Sequence, residues 1–381
     1  VKNALATALA LALGLGLPAA AQAEVRISGF GQAIGGTTSS DTDTYPGNNY
    51  GDDIDFKEES LFAVQISADL NDKVDAVAQV MARGYNDFDA ELAWAYANIK
   101  MDNGFNLKVG RQRTSFYRYS DFLDVGYAYP WIRTPYAVYN TPWSTLDGLG
   151  LTHTAFIGDD WFSQVQVQYG GYEGDARFGG SIYQGELTDF WGASWDLEYN
   201  EWLSFRAAYF TASTTVTDSP LDPLLAVLNA NSLTALAGAM DYNEDKGVFT
   251  NLGVKAERDN WMLVAEYVTI TLEDSIYADQ DYWYVSGAYR FGAWQPSITY
   301  GAREADAKSE IYAGFPSASP LYPAIVGAIE SQALDETFLS VGVRWDFASN
   351  VAFKADWSRY ESDIAGTPDS DLLSAGVVFT F

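Results

Sequence analysis

The sequence predicts an all-β protein, a transmembrane antiparallel β-barrel of 16 strands. Three observations predict it: apolar and polar residues alternate in segment after segment, connectors alternate between short and long, and no stretch of 18 apolar residues follows residue 23. In Phe338–Phe347, Leu339, Val341, Val343, Trp345 and Phe347 share one parity, and Ser340, Gly342, Arg344 and Asp346 share the other. Successive strand side chains point to opposite faces, so such a segment separates an apolar surface from a polar one. Without a long apolar run, a membrane location requires a closed barrel, in which every backbone group is paired between strands.

Sixteen alternating segments are expected at about 25–36, 58–70, 73–84, 90–102, 105–112, 148–158, 161–170, 188–199, 202–212, 247–258, 261–273, 281–291, 294–304, 335–347, 351–362 and 371–381. Their length suits tilted strands crossing hydrocarbon. The short connectors are rich in the Asn, Asp and Gly that tight turns favour, as in Asn71-Asp72, Asp102-Asn103-Gly104, Asp259-Asn260 and Gly292-Ala293. Between them lie long connectors rich in Gly, Asp and Pro. An even strand number with short turns at one end and long loops at the other is the layout of an outer-membrane barrel. Trp161, Trp202, Trp261 and Trp294 each follow a short turn and Trp345 precedes one, which places five amphipathic rings near one membrane interface.

Composition excludes other chemistries. The 381 residues include 51 Asp+Glu against 22 Lys+Arg, a formal charge of −29, so no basic surface suits a nucleic-acid partner. The absence of Cys removes disulfides and thiolate chemistry, and a single His leaves little room for a His-based site. Residues 1–23 read as a cleaved signal peptide: Lys2, an apolar run from Ala4 to Leu17, and Ala21-Gln22-Ala23 as a small-x-small site. Residues 24–381 then form a single barrel domain. The reading implies export to the outer membrane of a Gram-negative cell, in contact with its lipid.

The chain resembles the Gram-negative porin family. The resemblance is carried by the topology and by Arg26-Ile27-Ser28-Gly29-Phe30-Gly31, Lys108-Val109-Gly110-Arg111-Gln112 and the terminal Phe381. It implies a water-filled channel for passive diffusion of ions and small hydrophilic solutes, a homotrimer, no cofactor, and Phe381 as the assembly signal. It also implies that the long third loop folds into the pore. That loop, Gln112 to Asp147, carries Arg113, Arg118, Asp121, Asp124 and Arg133 among many aromatics, and such a composition requires packing against something. Where porins usually carry a Pro-Glu-Phe-Gly-Gly-like turn, this chain has Pro130-Trp131-Ile132-Arg133, a departure that points to its own substrate preference.

Strand parity assigns Arg26, Arg83, Lys108, Arg206, Lys255, Glu266, Arg290, Arg303, Arg344 and Lys354 to the pore wall, where lumen charges tune selectivity. The acid concentrates in the long loops, for instance at Asp52, Asp53 and Asp55. It has two readings: weak binding of Ca or Mg that bridges to lipopolysaccharide, or adaptation to a salty medium. Residues 220–240 are expected to form an amphipathic helix at the pore mouth. Small residues (Ala76, Ala78, Val80, Ala82, then Ala93, Ala95, Ala97, Ile99) mark strands two to five as a subunit interface. His153 shares parity with Leu149 and Leu151 and so faces outward, which argues against an enzyme. The competing functions are a structural or adhesive barrel, or a channel selective for one solute class.

Overall fold

The computed structural model describes residues 24–39, 49–178 and 181–381. The expected signal peptide, residues 1–23, and the acids Asp41 and Asp43 lie outside the described residues. The strands are β1 (Glu24–Thr38), β2 (Leu61–Asn71), β3 (Val74–Arg83), β4 (Ala90–Lys100), β5 (Phe105–Arg113), β6 (Thr145–Ile157), β7 (Trp161–Phe178) and β8 (Ser181–Tyr199). They continue with β9 (Leu203–Thr217), β10 (Asp245–Arg258), β11 (Trp261–Leu272), β12 (Asp279–Tyr289), β13 (Trp294–Asp306), β14 (Leu334–Ala348), β15 (Val351–Ser362) and β16 (Ser370–Thr380). Each pairs antiparallel with its sequence neighbours, and β1 pairs with β16, so the 16 strands close into one barrel.

The tight turns work because their residues tolerate positive φ. Asn103, Asn200, Asp259 and Asn350 sit at φ 61°, 46°, 54° and 60°, the conformation that two-residue hairpins require. At this end the tryptophans form cross-strand pairs. Trp294 stacks on Trp345 with centroids 5.2 Å apart, Trp161 meets Tyr199 at 4.8 Å, and Trp261 meets Tyr289 at 4.6 Å. A ring of such pairs holds one edge of the barrel at the membrane–water boundary.

Closure explains the Gly-rich opening strand. Gly29 and Phe381 exchange backbone hydrogen bonds, each 2.9 Å. A Cβ on Gly29 would stand 2.3 Å from the Phe381 ring and 2.6 Å from the Ala63 carbonyl, so only glycine leaves the slot that the terminal ring fills. Phe381 then stacks on Phe62 at 5.8 Å, adding an aromatic contact to the seam.

Three departures from the sequence reading have physical causes. The β7–β8 hairpin runs to Phe178 and Ser181, well beyond residues 170 and 188, because the Gly170-Gly171 pair that reads as a loop is a register shift inside a continuing ladder. In β4 an irregularity opposite Gln79 and Val80 turns Ala93 into the lumen, where it packs with Met81 and Val125; it does not belong to the outward stripe. The helix expected over 220–240 is two helices, α1 (Asp222–Ala230) and α2 (Thr234–Gly238), and a third, α3 (Tyr322–Glu330), was not anticipated. Leu228, Ala237, Met240, Ile276, Ile325 and Ile329 are buried together, so the loops before β10, β12 and β14 share one small core above the barrel mouth.

The candidate functional site: a loop clamped across the lumen

Residues 114–144, between β5 and β6, cross the lumen and pack on its wall. Phe116 lies 5.1 Å from Phe210 and 4.7 Å from Phe249, and Tyr117 meets Phe249 edge-on at 5.2 Å. Trp131 meets Tyr284 edge-on at 6.3 Å and donates its Nε1–H to Ser286 Oγ at 2.9 Å. The receiving wall is apolar because β9 to β12 turn Ala208, Phe210, Phe249, Met262, Val264, Val268 and Tyr282 inward, all buried. On β11 both faces are therefore largely apolar, which departs from the polar lumen face usual in such barrels. Each buried aromatic ring contributes on the order of 1.5–3 kcal/mol through area removed from water.

Three polar clamps then fix the loop. At its root, Asp124 accepts from Arg83 Nη1 at 2.6 Å and from Arg113 Nη2, while Gln168 donates to the Arg113 carbonyl at 2.8 Å and accepts from Ser115 N–H at 2.9 Å. In the middle, Glu266 of β11 accepts from the Arg118 backbone N–H at 3.0 Å, from Asn251 at 3.0 Å, from Tyr284 Oη at 2.9 Å and from Tyr139 Oη. Arg206 of β9 donates to the Ser115 carbonyl at 2.5 Å and to Asp196 at 2.5 Å. At the far side, Lys354 of β15 is 1 % exposed and donates to the carbonyls of Gly126 (2.5 Å), Tyr129 (2.6 Å) and Trp131. Arg344 donates to the Tyr127 carbonyl at 2.5 Å. Arg133 leaves the loop to meet Glu59 at 2.5 Å and Asp356 at 3.1 Å.

The residues expected on the pore wall thus divide. Arg83, Arg206, Glu266, Arg344 and Lys354 do point inward, yet they grip the loop, and Arg303 lies between the Tyr136 and Tyr282 rings at 4.9 and 5.1 Å while pairing with Glu336 at 3.2 Å. The other four make no hydrogen bond to the loop among the described residues, although Arg290 shares Asp346 with Arg344. Arg26 pairs with Asp69 (2.6 Å), Lys255 with Glu257 (2.5 Å) and Arg290 with Asp346 (2.5 Å), while Lys108 lies 5.2 Å from the Tyr96 ring centroid. On the loop itself, Asp121 is exposed, and the Arg118 guanidinium rests on Ser204 Oγ at 2.8 Å with no carboxylate oxygen within 4 Å of its nitrogens among the described residues. Glu59, Gln168, Tyr139 and Ser115 also belong to the site and are not among the residues expected there. Alternation alone places Glu59 in the second strand, and no local pattern marks a carboxylate that meets its partner 74 residues away. His153 is outward, against the Phe105 ring at 4.4 Å.

A closed outer-membrane barrel with an inward-folded constriction loop defines a class: a channel through which solutes diffuse passively. The family model for Gram-negative porins matches residues 6–381, and the chain belongs to that family. Among solved structures it is similar to the outer-membrane channel DcaP of Acinetobacter baumannii (12% identity, TM-score 0.62, 96% of this chain and 99% of that one). It is also similar to the loop-L8 deletion mutant of OmpT from Vibrio cholerae (13%, 0.60, 95% and 100%) and to an anion-selective porin from Comamonas acidovorans (8%, 0.59, 94% and 100%). A search of curated proteins finds no match. The protein is an outer-membrane porin.

The Asp124 clamp has a pH signature. Burial alone would raise its pKa, but the Arg83 and Arg113 guanidiniums beside it hold the carboxyl well below the usual carboxylate range. A depressed folded-state pKa stabilises the docked loop fully above about pH 4, the ordinary aspartate value, and that contribution fades only as pH falls further. Wild-type channels are therefore expected to gate quietly from pH 8 to pH 5. Asp124→Asn, which leaves the buried Arg113 guanidinium without a carboxylate and Arg83 with Glu91 alone, at a cost of about 3–5 kcal/mol, is expected to gate noisily at pH 7. Single-channel recording checks both, and wild-type noise setting in between pH 5 and 7 would contradict the assignment.

Proposed function

We propose that ions and small hydrophilic solutes pass beside the clamped loop, along the lumen face of β2 to β6. The observation that carries this is the asymmetry of the wall. On β9 to β12 and β14 to β16 the inward side chains are largely buried beneath the loop, whereas Gln65, Trp94, Tyr96, Asn98, Lys108 and Thr152 keep part of their surface exposed. Asp121 on the loop and Lys108 on the wall supply charges of opposite sign to this passage. No catalytic role is proposed for any residue. The channel is read as passive, and Arg113, Arg133 and the inward wall cations as positioning groups.

The clamps are close to charge-compensated, since Arg83, Arg113 and Arg133 each face a carboxylate. The uncompensated field comes from the acidic loops, 51 acids against 22 bases over the whole chain. A mild cation preference follows, weakening as salt shortens the Debye length. Among the described residues no three acids or histidines are grouped to hold a metal, so divalent ions are proposed to associate diffusely with the loops and to bridge them to lipopolysaccharide. In planar bilayers across a salt gradient, the reversal potential is expected on the cation side, and Arg118→Ala should move it further that way. An anion-selective wild type, or no stepwise conductance, would overturn this reading.

A homotrimer through β2 to β5 is the proposed assembly. Ala76, Ala78, Val80 and Ala82 of β3 and Ala95 and Ala97 of β4 alternate with inward residues and form a low outer surface that lets a second barrel approach closely. One similar structure, in-vitro folded OmpT of Vibrio cholerae, is a trimer form. Ala78→Trp is expected to shift gently extracted protein from trimer to monomer on native gels; an unchanged trimer would remove this surface from the interface.

A further inference from the structure

Above the clamped loop, on the β8 to β11 side, lies a cavity of about 420 Å³ with a composition unlike the rest of the lumen. Phe116 of the loop forms its floor, Leu187, Phe190 and Phe210 form its wall, and Pro220 and Tyr242 of the loop before β10 line its open upper side. Ile270 and Leu272 complete the apolar side. None of its lining residues is Asp, Glu, Lys, Arg or His. That is a sharp local exception in a lumen crossed by buried ion pairs on both sides of the loop. The polar residues that line it are neutral, hydroxyl-bearing ones such as Thr141 and Thr214 together with the amide-bearing Gln332.

A cavity of this size falls in the range of small-molecule sites, roughly 300–1,000 Å³. Apolar cavities hold water poorly and bind apolar ligands instead, whereas a water-filled vestibule for ions would be lined by polar groups. The absence of charge also works as a filter. An ion entering would leave its hydration shell with no counter-charge to receive it, so charged solutes are excluded at a cost that neutral ones avoid. A flat ring, in contrast, meets a lining that includes Phe116, Phe190 and Phe210, with hydroxyls for one or two hydrogen bonds.

We infer that this cavity is a binding site for uncharged aromatic solutes bearing hydroxyl groups, set beside the polar path and above the constriction. The inference deepens the channel reading by naming a solute class that the extracellular half of the pore concentrates. Binding requires no chemistry and no cofactor, only displacement of poorly held water by a ring.

The test uses the full barrel in detergent and phenyl β-D-glucoside, an uncharged aryl glycoside. Saturation-transfer NMR reports contact with the protein whether or not the channel conducts, so failure of the site and failure of the channel reading are separate results. Expected are strong transfer to the phenyl protons, at least tenfold weaker apparent affinity for methyl β-D-glucoside, and weak transfer to benzoate. Ala212→Trp, which fills the cavity from the wall, should abolish the aryl signal. Ile270→Ser, a milder change, should weaken it several-fold, and both variants are compared only where heat-modifiable mobility shows a folded barrel. Equal binding of the phenyl and methyl glucosides, preference for benzoate, or an aryl signal unchanged in either folded variant would overturn the proposal.

Discussion

A chain segment that leaves the barrel wall and enters the lumen carries backbone carbonyls to a place where neither strand nor helix satisfies them. Buried backbone acceptors without partners cost as much as lost hydrogen bonds, so the segment at 126–131 needs donors supplied from elsewhere. Lys354 answers this with one ammonium shared among three carbonyls, and Arg344 adds the carbonyl of Tyr127. The rest of the site depends on that arrangement. Burying two cations requires nearby acid, which Asp346 and Asp356 provide, and Asp356 in turn reaches Arg133 on the loop. The polar half of the constriction is a chain of consequences from unsatisfied peptide groups.

The apolar half follows from a second constraint. Removing the third loop's rings from water stabilises its docking only if the wall offers an apolar face, which is why β9 to β12 break the usual polar-inside rule with Phe210, Phe249, Val264 and Val268. Glu266 sits among these residues as a single buried carboxylate, and four donors converge on it. Full satisfaction of this kind makes a buried polar group specify one loop position. Apolar burial supplies affinity for the wall, and the carboxylate sets the register.

Much of the barrel was legible because its signals are local. Parity along each segment, Asn and Asp at turns and Trp beside them depend on neighbours a few residues apart. The need for the third loop to be packed was legible too, from its own aromatics. What covers it was not, because Arg133 finds Ser374 across 241 residues and Trp131 finds Ser286 across 155, and no local pattern records such pairs. The charges assigned to the wall were found by parity, but parity gives a face and says nothing of what fills the space in front of it. Where both faces are apolar, as on β11, alternation loses its contrast. A single irregularity was enough to move Ala93 from the outer stripe to the lumen.

The central claim is that the loop occupies one fixed position across the lumen. Because the chain has no Cys, two introduced cysteines are the only labelling sites. Spin labels at Phe122, exposed on the loop, and at Asn350, in the turn between β14 and β15, report its position directly by pulsed electron resonance. One narrow distance distribution at neutral pH, broadening in Lys354→Met, is the result the account requires. A broad distribution in the otherwise unaltered protein would contradict it.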